Sequence, residues 1–194
     1  MNIHSAIRWV EESNQLIDGV AFTSSNRTRA SVGLLHLSLE HNKGLVSCIE
    51  NEIFGSAFAL FRCQFETLIR GVWIQWCATD KEVDGFLDGK EPPRIHALLE
   101  AIEAVPRFES RALTAVKAAL WKTMNDYTHG GAVQVKARNT ATDIVVNYQV
   151  EHVEAVLEYS VNLAYTCGVQ VAKVCVNDKL ANQLMNLNKE ISAS

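Results

Sequence analysis

Proline is scarce: Pro92, Pro93 and Pro106 are the only three in 194 residues, and all lie mid-chain. Long helices can therefore run on both sides, because an interior proline costs a helix a hydrogen bond and about 3 kcal/mol. Cysteine is also sparse. Cys48, Cys63, Cys77, Cys167 and Cys175 are odd in number, form no CxxC pair and each stand in an apolar stretch. They read as buried reduced thiols, not as a disulfide framework. Positive charge is not in excess, with 18 Lys and Arg against 22 Asp and Glu, a net charge of −4 and a pI near 5.9. The overall balance makes no electrostatic case for nucleic-acid binding and leaves room only for a local basic patch. The first fourteen residues include Glu11 and Glu12 and hold no continuous apolar core, so no secretory leader is expected. Uncharged stretches are broken by Asn, Gln, Ser and Gly, which argues against a membrane span and for a cytoplasmic protein. HExxH, paired ExxH, GxSxG, P-loop and GxGxxG motifs are all missing. His36 and His41 stand five apart on one expected helix and do not share a face, so neither metal nor cofactor is expected.

Helical periodicity fills the rest of the chain. Helices are expected at about 2–20, 28–50, 54–79, 93–104, 109–128 and 149–176, with a short turn or helical piece over 80–89. Thr23-Ser24-Ser25-Asn26 supplies a cap, Pro92-Pro93 suits a first helical turn, and Gly130-Gly131 a helix end. The segment 54–79 is apolar on nearly all sides, as a central bundle helix is. Residues 132–147 break the pattern and read as either an ordered loop or a small hairpin. Leu180, Leu184, Leu187 and Ile191 form a short apolar seam that must be buried, against a second copy or within the chain. The expected architecture is all-α: a single up-and-down-type bundle over residues 1–194, self-associating as a homodimer.

Two clusters break the apolar background. Between Glu52 and Asp80 the only charges are Arg62, Glu66 and Arg70, at i, i+4 and i+8, so they stack along one helix face. Burying ions costs several kcal/mol each unless they are well paired. The stripe is therefore either an ion-paired docking seam or the wall of a polar pocket. The second cluster is Trp121-Lys122-Thr123-Met124-Asn125-Asp126-Tyr127-Thr128-His129-Gly130-Gly131. Asn125 and His129 share a flank, and the dipole at a helix C-terminus favours a cationic His129. The two glycines let another backbone or a ligand approach closely.

The stretch Ser56-Ala57-Phe58-Ala59-Leu60-Phe61-Arg62-Cys63-Gln64-Phe65-Glu66, followed by Arg70 and Trp73 and later by Asn125-Asp126-Tyr127-Thr128-His129-Gly130-Gly131, resembles a pattern of bacterial all-helical proteins of unassigned function. The likeness covers about residues 28–165, and those proteins look like distant relatives of the HEPN superfamily of toxin–antitoxin and phage-defence bundles. That resemblance implies a metal-independent ribonuclease acting as a homodimer. In such enzymes an arginine precedes the histidine with four to six residues between them. The histidine moves protons at the RNA 2′-hydroxyl and the arginine holds the phosphate. This chain departs there: only Lys122 stands at that spacing before His129, and lysine has no bidentate fork.

Three readings follow. In the first, His129, Arg62 and Glu66 are catalytic, with Arg70, Asn125, Tyr127 and Lys122 binding RNA. In the second, the same pocket binds RNA, a nucleotide or another phosphorylated ligand without turnover, or docks a nucleotidyltransferase-type antitoxin. In the third, the stripe is an internal ion-pair network that fixes helix register. The departure at Lys122 weighs against the usual nuclease.

Overall fold

Local capping chemistry sets where four of the helices begin. The computed structural model describes residues 1–193. Asn2 caps α1 (Ile3–Ile17) by accepting from the Ser5 N–H at 2.9 Å. Ser25 and Thr28 form a capping box at the head of α2 (Asn26–Glu50). After α3 (Phe54–Trp76), Thr79 and Glu82 form a second box that starts α4 (Asp80–Leu87). α5 (Ile95–Glu103) and a 3-10 turn (Pro106–Phe108) lead into α6 (Ala112–Thr128). A one-turn α7 (Ala132–Lys136), the long α8 (Val150–Val174) and α9 (Asp178–Ser192) complete the chain. The fold is all-helical, with no strand among the described residues. No helix among them is long and apolar enough to cross a membrane.

Three sequence expectations are corrected. Pro92 and Pro93 lie ahead of α5 rather than in its first turn. Each proline biases the residue before it towards extended backbone, and Arg94, the N-cap, is itself extended at φ −62°, ψ 150°. The helix expected over 149–176 does end there, because Val176 turns left-handed at φ 50°, and the apolar seam beyond it forms α9, which Asn177 caps by accepting from the Leu180 N–H. Residues 132–147 are neither plain loop nor hairpin. They form α7 followed by a tight turn closed by one isolated antiparallel bridge, Asn139 to Ile144. Finally, only Cys167 of the five free thiols is fully buried; the other four are half-buried.

α3 is the central helix and packs against α2, α5, α6 and α8. Phe61, Phe65, Leu68, Ile69 and Val72 on it are buried in one contiguous core. Gly71 allows α2 to come close, since a Cβ there would lie 3.0 Å from Leu35 Cγ. A polar seam runs through this apolar contact. Ser31 donates to the Gly71 carbonyl and Ser38 to the Gln64 carbonyl, both at 2.9 Å. Ser160 of α8 donates to Gln64 Oε1 at 2.6 Å and accepts from Asn42 Nδ2 at 2.7 Å. Gln64 Nε2 returns a bond to the Ser160 carbonyl at 2.7 Å. Buried polar groups are tolerated only when bonded, so this lattice admits one register of α2, α3 and α8.

The C-terminal seam is buried inside the same chain. Leu180, Leu184, Leu187 and Ile191 are all buried in α9, which packs on α1 and α8. Arg8 adds an ion pair to Glu190 at 2.9 Å across the α1–α9 contact. The seam therefore gives no argument for a second copy.

Candidate functional site

The Arg62–Glu66–Arg70 stripe stacks along α3 as its spacing demands. Glu66 sits between the two cations, accepting from Arg62 Nε at 2.7 Å and from Arg70 Nη2 at 3.3 Å. Its side chain keeps 18% exposure, Arg62 21% and Arg70 33%, so the stripe is neither sealed in the core nor free in solvent. It forms one wall of a cleft of about 400 Å³. Glu91, Pro92, Pro93, Arg94 and His96 make the second wall, and Lys117 and Trp121 of α6 the third. α6 is pinned to α5 by Glu103, whose carboxylate accepts from the Thr114 N–H at 3.0 Å and its hydroxyl at 2.8 Å. The Trp121 ring has the Arg62 guanidinium 5.1 Å and the Lys117 ammonium 5.4 Å from its centroid.

His129 is exposed at the C-cap of α6 and lies outside the cleft lining, but its Nε2 lies 2.7 Å from Arg62 Nη1. A guanidinium can only donate, so Nε2 accepts and the ring proton of this arrangement sits on Nδ1. The same contact places an arginine beside the histidine from 67 residues away. No local spacing could have announced it.

The remaining motif residues divide between the site and the scaffold. Asp126 Oδ2 accepts from the N–H of Val133 at 2.6 Å and of Gln134 at 3.2 Å, capping α7. Gly130 takes φ +67°, and a Cβ on Gly131 would collide with the Asp126 carboxylate. The two glycines serve this turn. Tyr127, expected to bind ligand, is buried in an aromatic cluster, 4.4 Å from Phe58 and 6.1 Å from Tyr148 between ring centroids. Burial pushes its phenol pKa upward. Lys122 is exposed on α6 and does not line the cleft. Asn125 is half-buried outside the cleft lining, with its Oδ1 buried and unpartnered. Arg70 Nε is likewise buried without a partner.

Arg94, His96, Lys117 and Trp121 were not assigned a role from the sequence. Lys117 stands four residues before Trp121, which was a readable sign of a shared face. Nothing local marked Arg94 or His96, which reach the cleft only because α5 folds back onto α3. A larger groove of about 750 Å³ runs along α1 and α2, but its lining carries none of the residues of either polar motif. Among the described residues no group of three or more His, Cys, Asp or Glu side chains could hold a metal ion.

The profile of a family described as a family of unknown function (DUF6988) matches residues 35–194. The chain belongs to that family. Its matched span runs from within α2 to the end of α9, so every cleft residue of this DUF6988 protein falls inside it, while α1 lies outside. No curated protein and no solved structure matches the chain.

Proposed function

We propose that this DUF6988 protein is a HEPN-like bundle whose α3–α5–α6 cleft binds RNA or a nucleotide-like phosphate ligand, in a bacterial defence or toxin–antitoxin setting. The observation that carries this reading is local charge. Arg62, Arg70, Arg94 and Lys117 face the cleft against only Glu66 and Glu91, in a chain of net charge −4. A concave, half-desolvated wall strengthens the attraction of such a set for an anion. Glu66 holds two guanidiniums in place, and each keeps N–H donors beyond those it spends on Glu66.

The ribonuclease form of this reading rests on the Arg62–His129 contact. Arg62 occupies the lone pair that a general base would need, so the contact must part before Nε2 can take a proton. A phosphate that draws Arg62 towards the cleft would part it. The structural alternative has its own support, because the pairs around Glu66 and the Arg62–His129 bond tie α3 to the end of α6.

A partner also belongs to this reading, either a second copy or an antitoxin-type protein. Its support lies in Val133, Val135, Ile144, Val146 and Val150, which are all exposed within one stretch, Ile144 at 96%. Sedimentation velocity with Ile144→Lys checks it: a wild-type monomer removes the homodimer.

The test of the site combines binding and cleavage of a short labelled mixed-sequence RNA without metal. Arg62→Ala and Arg70→Ala are expected to weaken binding, and His129→Ala to abolish any cleavage without weakening binding. Binding that ignores both arginines, in variants that melt like wild type, leaves only the ion-pair network.

A further inference from the structure

The face of α3 that carries the stripe continues past Arg70. One turn on, Trp73 lines a second cavity of about 420 Å³, with Lys81, Glu82, Gly85 and Phe86 of α4 and residues Lys90 to Pro93. The two cavities share Glu91, Pro92 and Pro93, so one short segment walls both. Their chemistry differs. The first is cationic. The second offers flat and apolar groups: Trp73, only 5% exposed, the half-buried Phe86, and the two prolines. Its two lysines, Lys81 and Lys90, are exposed. The Lys90 stem lies across Gly85, where a Cβ would come 3.1 Å from Lys90 Cδ, and the Lys90 N–H bonds to the Gly85 carbonyl at 2.9 Å. Glu82, the one carboxylate that only this cavity has, is taken up by the Thr79 N–H and hydroxyl at 2.8 and 2.7 Å.

A flat apolar slot beside a cationic cleft matches a ligand with a planar ring at one end and phosphates at the other. Both cavities fall in the size range of small-molecule sites. Arg62 and Trp73 are eleven residues apart, about 16 Å along a helix at 1.5 Å per residue. That span suits one base, one ribose and a short phosphate chain laid end to end. We propose that the two cavities form one bipartite site for a nucleoside diphosphate or triphosphate. The base lies against Phe86, Pro92 and Pro93 over the buried Trp73, and the phosphates lie on Arg62, Arg70, Arg94 and Lys117. This rests on the phosphate reading of the cleft and narrows it from RNA or a nucleotide-like phosphate ligand to a single nucleotide.

Calorimetric titration of the full chain with the four common nucleoside diphosphates, with pyrophosphate and with the mixed-sequence RNA tests it. At least one nucleoside diphosphate is expected to bind about tenfold or more tighter than pyrophosphate, and to displace the RNA if the RNA binds. Phe86→Ala is expected to remove that advantage and leave pyrophosphate affinity unchanged. Phe86→Leu, which keeps apolar volume and removes the flat ring, should do the same and guards against misfolding. If nucleoside diphosphates and pyrophosphate bind alike, or the Phe86 variants change neither, the slot is refuted and the phosphate cleft stands. RNA binding that no nucleoside diphosphate displaces overturns the single-nucleotide assignment. If neither pyrophosphate, nucleotide nor RNA binds, the phosphate reading fails and this proposal with it.

Discussion

Replacing Ser160 with alanine removes a single oxygen from the polar seam between α2, α3 and α8. Ser160 and Gln64 are fully buried and Asn42 is 2% exposed, so solvent does not stand ready to take the place of the lost hydroxyl. Two hydrogen bonds go: Ser160 Oγ to Gln64 Oε1 at 2.6 Å, and Asn42 Nδ2 to Ser160 Oγ at 2.7 Å. The bond from Gln64 Nε2 to the Ser160 backbone carbonyl survives, because alanine keeps that carbonyl. One donor and one acceptor are left buried and unpaired, each costing about 1–3 kcal/mol. The expected loss is about 2–6 kcal/mol, which lowers the melting temperature by roughly 2–4 °C per kcal/mol in a chain of this size. Urea unfolding followed by far-UV circular dichroism measures it, with an unchanged m-value showing that stability alone has moved. Thr166→Ala on the same helix is the control. Its exposed hydroxyl bonds only to the Asn162 carbonyl at 2.9 Å, so its loss should stay within about 0.5 kcal/mol. A Ser160→Ala protein as stable as that control would refute the reasoning, since the seam would then be relaxing or hydrating at little cost.

Three further outcomes are expected. Cys167 is fully buried, its thiol donates to the Leu35 carbonyl at 2.9 Å, and burial raises its pKa well above the ordinary thiol range. Peptide mapping after alkylation at neutral pH should find it unmodified until urea unfolds the chain, and labelling as fast as that of the half-buried Cys175 would contradict this. Gly131→Ala should push Asp126 off the Val133 and Gln134 amides, and hydrogen exchange at those two amides should accelerate at least tenfold. Burial lowers the pKa of His41 below the ordinary imidazole value, so the unfolded chain binds its proton more readily than the folded one. Stability tied to His41 is therefore full above about pH 6.5 and is lost as pH falls through the unfolded value towards the lowered folded one. Thermal melts between pH 7.5 and 5 should fall less steeply for His41→Gln than for wild type, and identical slopes would exclude the effect.

Much of the framework was legible in short-range chemistry. The three-four spacing along α3 marked it as the central helix, Ser25 announced the start of α2, and Gly130 the end of α6. The i, i+4, i+8 spacing of Arg62, Glu66 and Arg70 already implied the pairs that Glu66 makes. These signals act within one or two turns of helix, where rise and pitch leave the chain little choice.

The same local logic misread residues 132–147. Val133 and Val135 alternate like a strand, yet the Asp126 carboxylate on the amides of Val133 and Gln134 starts a helical turn instead. Tyr127 looked like part of a ligand motif because of its neighbours, and packing with Phe58 and Tyr148 took it into the core. The C-terminal seam demanded burial without naming a surface, and α1 and α8 supplied one.

What sequence-local forces decided, then, were the helices, their caps and the charged stripe, because those energies are set between residues a few positions apart. The pairing of Arg62 with His129, the arrival of Arg94, Lys117 and Trp121 at one cleft, and the aromatic slot beside it were decided only by tertiary packing. Each depends on how helices far apart in the chain are oriented about α3. Buried contacts such as the Asn42–Ser160–Gln64 seam fix that orientation, and no spacing within a single helix carries it.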